Sequence, residues 1–166
     1  MTIERIQVGF LETNCYIITK NNRSIIIDPG DEFEKIKAAC MNKCVVGILV
    51  THHHFDHVGV LKECEDYFNV KHNEKQASDF DYKIIKTPGH SKDSISFYFE
   101  KENVLFAGDF IFQHGIGRCD LPSGNFKEMQ ESIKNILNYP KSLQIYPGHG
   151  DETVLKKELN YLSYLI

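Results

Sequence analysis

The stretch Val45-Val46-Gly47-Ile48-Leu49-Val50-Thr51-His52-His53-His54-Phe55-Asp56-His57-Val58-Gly59-Val60-Leu61 decides how the chain is read. Six residues of unbroken apolar character run into four histidines and a carboxylate, and apolar residues then recur at helical spacing through Cys64 and Phe68. A short continuous apolar run is the mark of a strand buried on both faces. Polar residues at the end of such a strand are where an α/β protein builds a site. The pattern is His52-x-His54-x-Asp56-His57. Alternate residues of an extended segment point to one side, so His52, His54 and Asp56 are expected to project together, with His57 facing elsewhere. That arrangement suits two neighbouring metal ions. His53 occupies an "x" position and is expected to face away.

Outward from this centre, the same device recurs. The run Ser24–Ile27 stops at Asp28-Pro29-Gly30, Ile84–Thr87 at Pro88-Gly89-His90, Val104–Ala107 at Gly108-Asp109, and Ser142–Tyr146 at Pro147-Gly148-His149. In each case a strand ends in a tight turn made with glycine or proline that aims a ligand-type side chain. His90, Asp109 and His149 therefore join the cluster as metal-ligand candidates, and two similar halves are suspected.

The remaining pattern predicts hairpins at Cys15–Thr19 with Ser24–Ile27 and at Ile95–Phe99 with Val104–Ala107. Helices are expected over Glu32–Met41 with Asp31 as cap, over Phe126–Leu137, and over Asp151–Ile166. The segments Val70–Lys83, with room for one short strand, and Gly115–Gly124 read as loops. A single domain over residues 1–166 is expected, since no linker or low-complexity segment divides the chain.

Composition limits the function. The chain has 166 residues, 42% of them hydrophobic and 25% charged. A net charge of -4 with dispersed lysines and arginines argues against a general nucleic-acid binder. No apolar segment approaches the length of a membrane span. Met1–Phe10 carries Glu4, Arg5 and Gln7 in place of an apolar signal core, so a cytoplasmic location is expected. Cys15, Cys40, Cys44, Cys64 and Cys119 are odd in number and dispersed. Cys40 and Cys44 have no further close Cys or His pair to complete a structural zinc site.

The order His52-x-His54-x-Asp56-His57, His90, Asp109, His149 resembles the metallo-β-lactamase superfamily, and within it the glyoxalase II-like hydrolases. The resemblance runs from about Asn14 to His149. It takes in Asp28-Pro29-Gly30, Thr51, Thr87-Pro88-Gly89-His90-Ser91, Gly108-Asp109 and Gly115-Ile116-Gly117-Arg118-Cys119-Asp120-Leu121-Pro122. It implies an α/β fold, the four-layer αββα sandwich, with metals at one edge between two sheets. His52, His54 and His90 would hold one ion, Asp56, His57 and His149 the second, and Asp109 would bridge them. Asp56 and Asp109 are thereby the catalytic candidates. Only residues 150–166 follow His149, so the likeness is to a short form lacking the helical domain that full-length glyoxalase II adds.

The implied cofactors are two divalent metal ions, zinc first, with iron or manganese as alternatives; imidazole and carboxylate donors suit these better than calcium. The implied reaction is attack by a metal-bridging hydroxide on a small-molecule thioester of hydroxyacylglutathione type. No Gly-x-Ser-x-Gly nucleophile elbow competes with that reading. The alternatives are a mononuclear iron persulfide dioxygenase, a lactonase or phosphodiesterase of the same fold, and a degenerate binding module. Asp28 reads either as a residue that orients a ligand or as a turn former. Arg118 reads as a substrate-orienting or loop-holding residue. His72 and His114 are expected to face solvent. Oligomeric state is left open.

Overall fold

A computed structural model describes residues 1–74 and 79–166. The chain divides into two compact units, Met1–Phe80 and Asp81–Ile166, and each builds its own sheet-and-helix core.

In the first unit, β1 (Thr2–Val8), β2 (Thr13–Lys20) and β3 (Arg23–Ile27) form an antiparallel meander. Helix α1 (Phe33–Ala39) then crosses over to β4 (Cys44–Leu49), which pairs parallel to β3 and completes the order β1-β2-β3-β4. Two short helices follow, α2 (Phe55–Val58) and α3 (Leu61–Phe68). Ile6, Ile17, Ile26 and Ile48 from the sheet share one core with Ile36 of α1 and Cys64 of α3. β2 and β3 are buried residue after residue rather than alternately, as the continuous β-branched runs imply.

The second unit runs β5 (Lys83–Lys86), β6 (Ile95–Phe99) and β7 (Val104–Gly108), a small hairpin β8 (Ile111–Phe112) and β9 (Gly115–Ile116), then α4 (Phe126–Ile136), β10 (Gln144–Pro147), β11 (Thr153–Val154) and α5 (Leu155–Tyr164). Its sheet order is β11-β10-β7-β6-β5, with β10 parallel to β7. Leu105 and Ile145 of the sheet pack with Met129 and Ile133 of α4 and Leu162 of α5. The two units thus share one plan: a parallel pair joined through a helix, ending in ligand-type residues.

Several boundaries depart from expectation. α1 begins at Phe33, and its N-cap is Glu32 in a left-handed conformation rather than Asp31, whose carboxylate instead accepts from the Glu32 amide at 2.7 Å. The Gly115–Gly124 loop opens with the strand β9, and the last helix is preceded by the strand β11, where Thr153 and Val154 extend the sheet. β1 carries no strong sequence signal because its inward residues, Ile6 and Val8, alternate with charged and polar ones. In the expected Val70–Lys83 loop, His72 bridges to Ile48 and β5 starts at Lys83; residues 75–78 of that expectation lie outside the described residues.

Candidate metal centre

In the first unit the parallel pair β3 and β4 brings Asp28 and Thr51 side by side at its carboxyl end. Asp28 has φ +52° and is 2% exposed. Its Oδ1 accepts the Thr51 amide at 2.8 Å, and its Oδ2 accepts the Thr51 hydroxyl at 2.7 Å. The same Oδ2 lies 2.9 Å from His57 Nδ1. Asn73 clamps the strand end that leads into the histidines, accepting from the Val50 amide at 2.9 Å and donating to its carbonyl at 3.1 Å.

His54 lies on extended backbone, but Asp56 and His57 lie on α2, which corrects the expectation that Asp56 continues the extended alternation. A helical turn sets Asp56 and His57 roughly 100° apart about one axis, so both can serve ligand roles although they are adjacent in sequence. Asp56 Oδ2 accepts the hydroxyl of Thr13, a fully buried residue 43 positions away, at 2.8 Å. The turn at Gly30 is locked against α2. A Cβ there would lie 1.7 Å from the Asp56 carbonyl oxygen. Gly30→Ala is expected to cost about 2–3 kcal/mol of stability, read from urea unfolding, and an unshifted midpoint would refute this packing.

In the second unit, β7 and β10 are parallel neighbours, and the Gly148 amide donates to the Gly108 carbonyl at 2.9 Å. The residues that follow each strand, Asp109 and His149, therefore emerge together, and His149 Nε2 lies 3.6 Å from Asp109 Oδ2. β5 runs in the same direction two strands over, so His90 leaves from that edge too, its Nε2 lying 3.4 Å from the same Oδ2. His90 is 3% exposed and is held from behind by its Nδ1, which donates to the Arg118 carbonyl at 2.8 Å.

The hydrogen-bond partners fix which ring nitrogen carries the proton. The Arg118 carbonyl only accepts, so His90 Nδ1 bears hydrogen, and in the neutral ring Nε2 holds the lone pair. The Asp28 carboxylate does the same for His57. Thr51 gives its hydroxyl hydrogen to Asp28 and faces His52 Nδ1 at 3.1 Å as an acceptor, which makes His52 Nε2 a lone-pair nitrogen as well. Carboxylate- and carbonyl-oriented imidazoles of this kind are the usual support of metal-ligating histidines.

Donor spacing within each unit fits the same role. His52 Nε2 and His54 Nδ1 are 3.1 Å apart, and His57 Nε2 and Asp56 Oδ2 are 3.5 Å apart. Together with the two Asp109 separations above, these match neighbouring ligands on one ion, since two donors bound tetrahedrally at zinc distances stand about 3.3 Å apart.

The other singled-out residues have different roles. His53 is exposed, and its ring meets that of His72 edge-on at 5.9 Å. His72 is not simply solvent-facing: its Nδ1 lies 2.9 Å from the buried Glu65. The His114 side chain is largely exposed, while its backbone is bonded to Glu158. The Arg118 guanidinium is exposed and bidentate with Asp120, both N···O distances being 2.7 Å, which pulls the Asp120 carboxyl down to about 2. Its backbone carbonyl is the part that orients His90. All five cysteines are free thiols, and burial pushes Cys40 up to about 11 and Cys64 up to about 12, so these two are inert at neutral pH. Sequence reasoning missed Thr13 and Asn73 and assigned no role to the Thr51 hydroxyl. No helix among the described residues is long and apolar enough to cross a membrane.

A family model described as the metallo-beta-lactamase superfamily matches residues 8–73 and 66–149. The hydroxyacylglutathione hydrolase GloC of Haemophilus influenzae is 30% identical, covering 95% of this chain and 95% of its own length. Among solved structures, the BLEG-1 B3 metallo-beta-lactamase is 29% identical with a TM-score of 0.92 over 99% of both chains. TTHA1623 in a di-iron-bound form is 26% identical with a TM-score of 0.85, covering 94% of this chain and 96% of its own.

Proposed function

Because this chain belongs to the metallo-beta-lactamase superfamily, has its fold, and is thereby a metal-dependent hydrolase, we propose that the ligand sets of its two units act together on two divalent ions. In this reading His52, His54 and His90 would hold one ion, Asp56, His57 and His149 would hold the other, and Asp109 would be shared by both. The observation that carries it is the donor spacing in each unit, close to a ligand–ligand edge in every pair. Zinc is the first choice for this nitrogen-rich set. Iron is the alternative that the di-iron form of a 26% identical protein supports, and manganese also fits the donors.

Such ions supply, when bound, a nucleophile drawn from water at neutral pH and an electrophile for a carbonyl oxygen. The chain's own contribution is preorganisation. Thr13 holds Asp56 by one oxygen, Asp28 fixes His57 and, through Thr51, His52, and the Arg118 carbonyl fixes His90. Beside Asp56 a cavity of about 270 Å³ is walled by the exposed Phe10, Leu11 and Phe55, which offers apolar contact to an acyl group.

The substrate we propose is a small thioester of hydroxyacylglutathione type, supported by the 30% identity to GloC across nearly the whole of both chains. Elemental analysis of the purified protein, followed by a thioester, lactone, phosphodiester and β-lactam panel before and after chelation, tests this. Two ions per chain and a thioester rate that vanishes on chelation and returns with added metal are expected. One iron per chain with persulfide-dependent oxygen uptake would establish the dioxygenase instead. Preferred turnover of the β-lactam, the substrate class after which the BLEG-1 enzyme is named, would overturn the thioester assignment.

A further inference from the structure

Glu158 is a carboxylate with no place in the chemistry above, and its side chain lies buried in the first turn of α5. Burying a carboxylate costs several kcal/mol unless its oxygens are satisfied. Here Oε1 accepts from the Thr153 hydroxyl and Oε2 accepts the backbone N–H of His114 at 2.9 Å, while the amino-terminal end of α5 favours the negative charge. His114 sits at the turn of the β8–β9 hairpin with φ +59°, a conformation that a residue with a side chain adopts at some cost.

That hairpin leads to two of the ligand histidines. On its first strand, the Phe112 ring meets His149 edge-on with centroids 6.1 Å apart. Its second strand runs straight into Gly117 and Arg118. Gly117 packs so closely that a Cβ would lie 1.9 Å from the Asp109 carbonyl oxygen and 3.0 Å from His90 Cγ. The next residue supplies the carbonyl that accepts from His90 Nδ1 at 2.8 Å.

We infer that Glu158 is a positioning residue that tethers the β8–β9 turn to α5 and thereby holds the Gly117–Arg118 segment against His90 and Phe112 against His149. Its importance for turnover rests on the metal reading above; the tether itself does not. Glu158→Leu removes the acceptor at similar volume and leaves the Thr153 hydroxyl and the His114 N–H without it, which destabilises the fold. Glu158→Gln can keep the tether by turning its carbonyl to the His114 amide and its NH₂ to the Thr153 hydroxyl, which can accept as well as donate.

The test is long-range ¹H–¹⁵N spectroscopy of the histidine rings in metal-free protein, with melting curves and steady-state kinetics of the metal-loaded forms. In Glu158→Leu the melting temperature is expected to fall while the native fold is retained. The His90 ring should lose its single Nδ1–H tautomer, and kcat should fall about tenfold with KM nearly unchanged. Glu158→Gln should restore both the tautomer and kcat. An unchanged His90 tautomer and unchanged kcat in a folded Glu158→Leu protein overturn the inference. Where that variant fails to fold, Thr153→Val decides. It removes the hydroxyl that orients Glu158 and should weaken the His90 tautomer preference in the same direction, and no change there is equally fatal. A parent protein that binds no metal yet shows the tautomer effect counts against the metal reading and leaves the tether standing.

Discussion

Asp109→Ala is expected to bring turnover down to the background rate and to strip the purified protein of its metal. Asp109 leaves the end of β7 beside His149 at the end of the parallel strand β10, and its Oδ2 stands 3.6 Å from His149 Nε2 and 3.4 Å from His90 Nε2. A carboxylate between two imidazoles would be the natural shared ligand of the proposed binuclear site, and its negative charge would help to offset two divalent ions. Losing it should lower kcat/KM by at least about 10³-fold, or about 4 kcal/mol of transition-state stabilisation. The thermal signature separates loss of metal from loss of fold. A bound ion stabilises the parent by mass action, so chelation should lower its melting temperature. The variant should melt near the chelated parent whether or not chelator is present. Asp109→Ala protein that still carries two ions and turns over at the parent rate would end the assignment.

The parts of this molecule that were legible in the sequence are those set by local chemistry. The apolar run into β4, the Asp-Pro-Gly and Pro-Gly-His strand ends and the amphipathic α4 each carry their signal within a few residues. Asp56 shows where that stops. The His-x-His-x-Asp-His spacing reads as continued alternation, yet the chain turns helical at Phe55, and a four-residue helix is too short to leave a period in the sequence. Thr13 was beyond reach for a different reason. Its bond to Asp56 spans 43 residues and exists only because β2 pairs beside β3, whose end leads into the turn packed on α2. β1 and β11 are edge strands: β1 turns only Ile6 and Val8 inward as buried residues, and β11 is two residues long, too short to show a period. Asp28 lay between the two cases. Its position before Pro29-Gly30 marks a turn, and the left-handed φ of +52° agrees, but its three hydrogen bonds make it more than a turn former.

Those three bonds give Asp28→Asn a large expected effect from a change of one atom. The carboxylate accepts from three donors: the Thr51 amide, the Thr51 hydroxyl and His57 Nδ1. An amide offers one accepting oxygen and one donating nitrogen. With the oxygen toward the Thr51 amide, the NH₂ faces His57 and the Thr51 hydroxyl. His57 then accepts at Nδ1 and carries its proton on Nε2, the nitrogen proposed to meet the metal. The Thr51 hydroxyl, no longer able to donate to Asp28, also stops being a committed acceptor for His52. With the amide reversed, His57 keeps its tautomer, but the buried Thr51 N–H faces another donor, at a cost of about 1–3 kcal/mol. Each orientation therefore damages either the ligand or the strand end that carries it. Metal affinity is expected to fall about 10- to 100-fold, measured by chelator competition, with kcat falling alongside. Ring ¹⁵N shifts of metal-free protein should show His57 moving from the Nδ1–H to the Nε2–H form, or unfolding should become easier by the cost given above. Asp28→Asn protein with the parent's metal affinity, tautomer and stability would mean that Asp28 does no more than shape the turn, and that the ordering of His52 and His57 arises elsewhere.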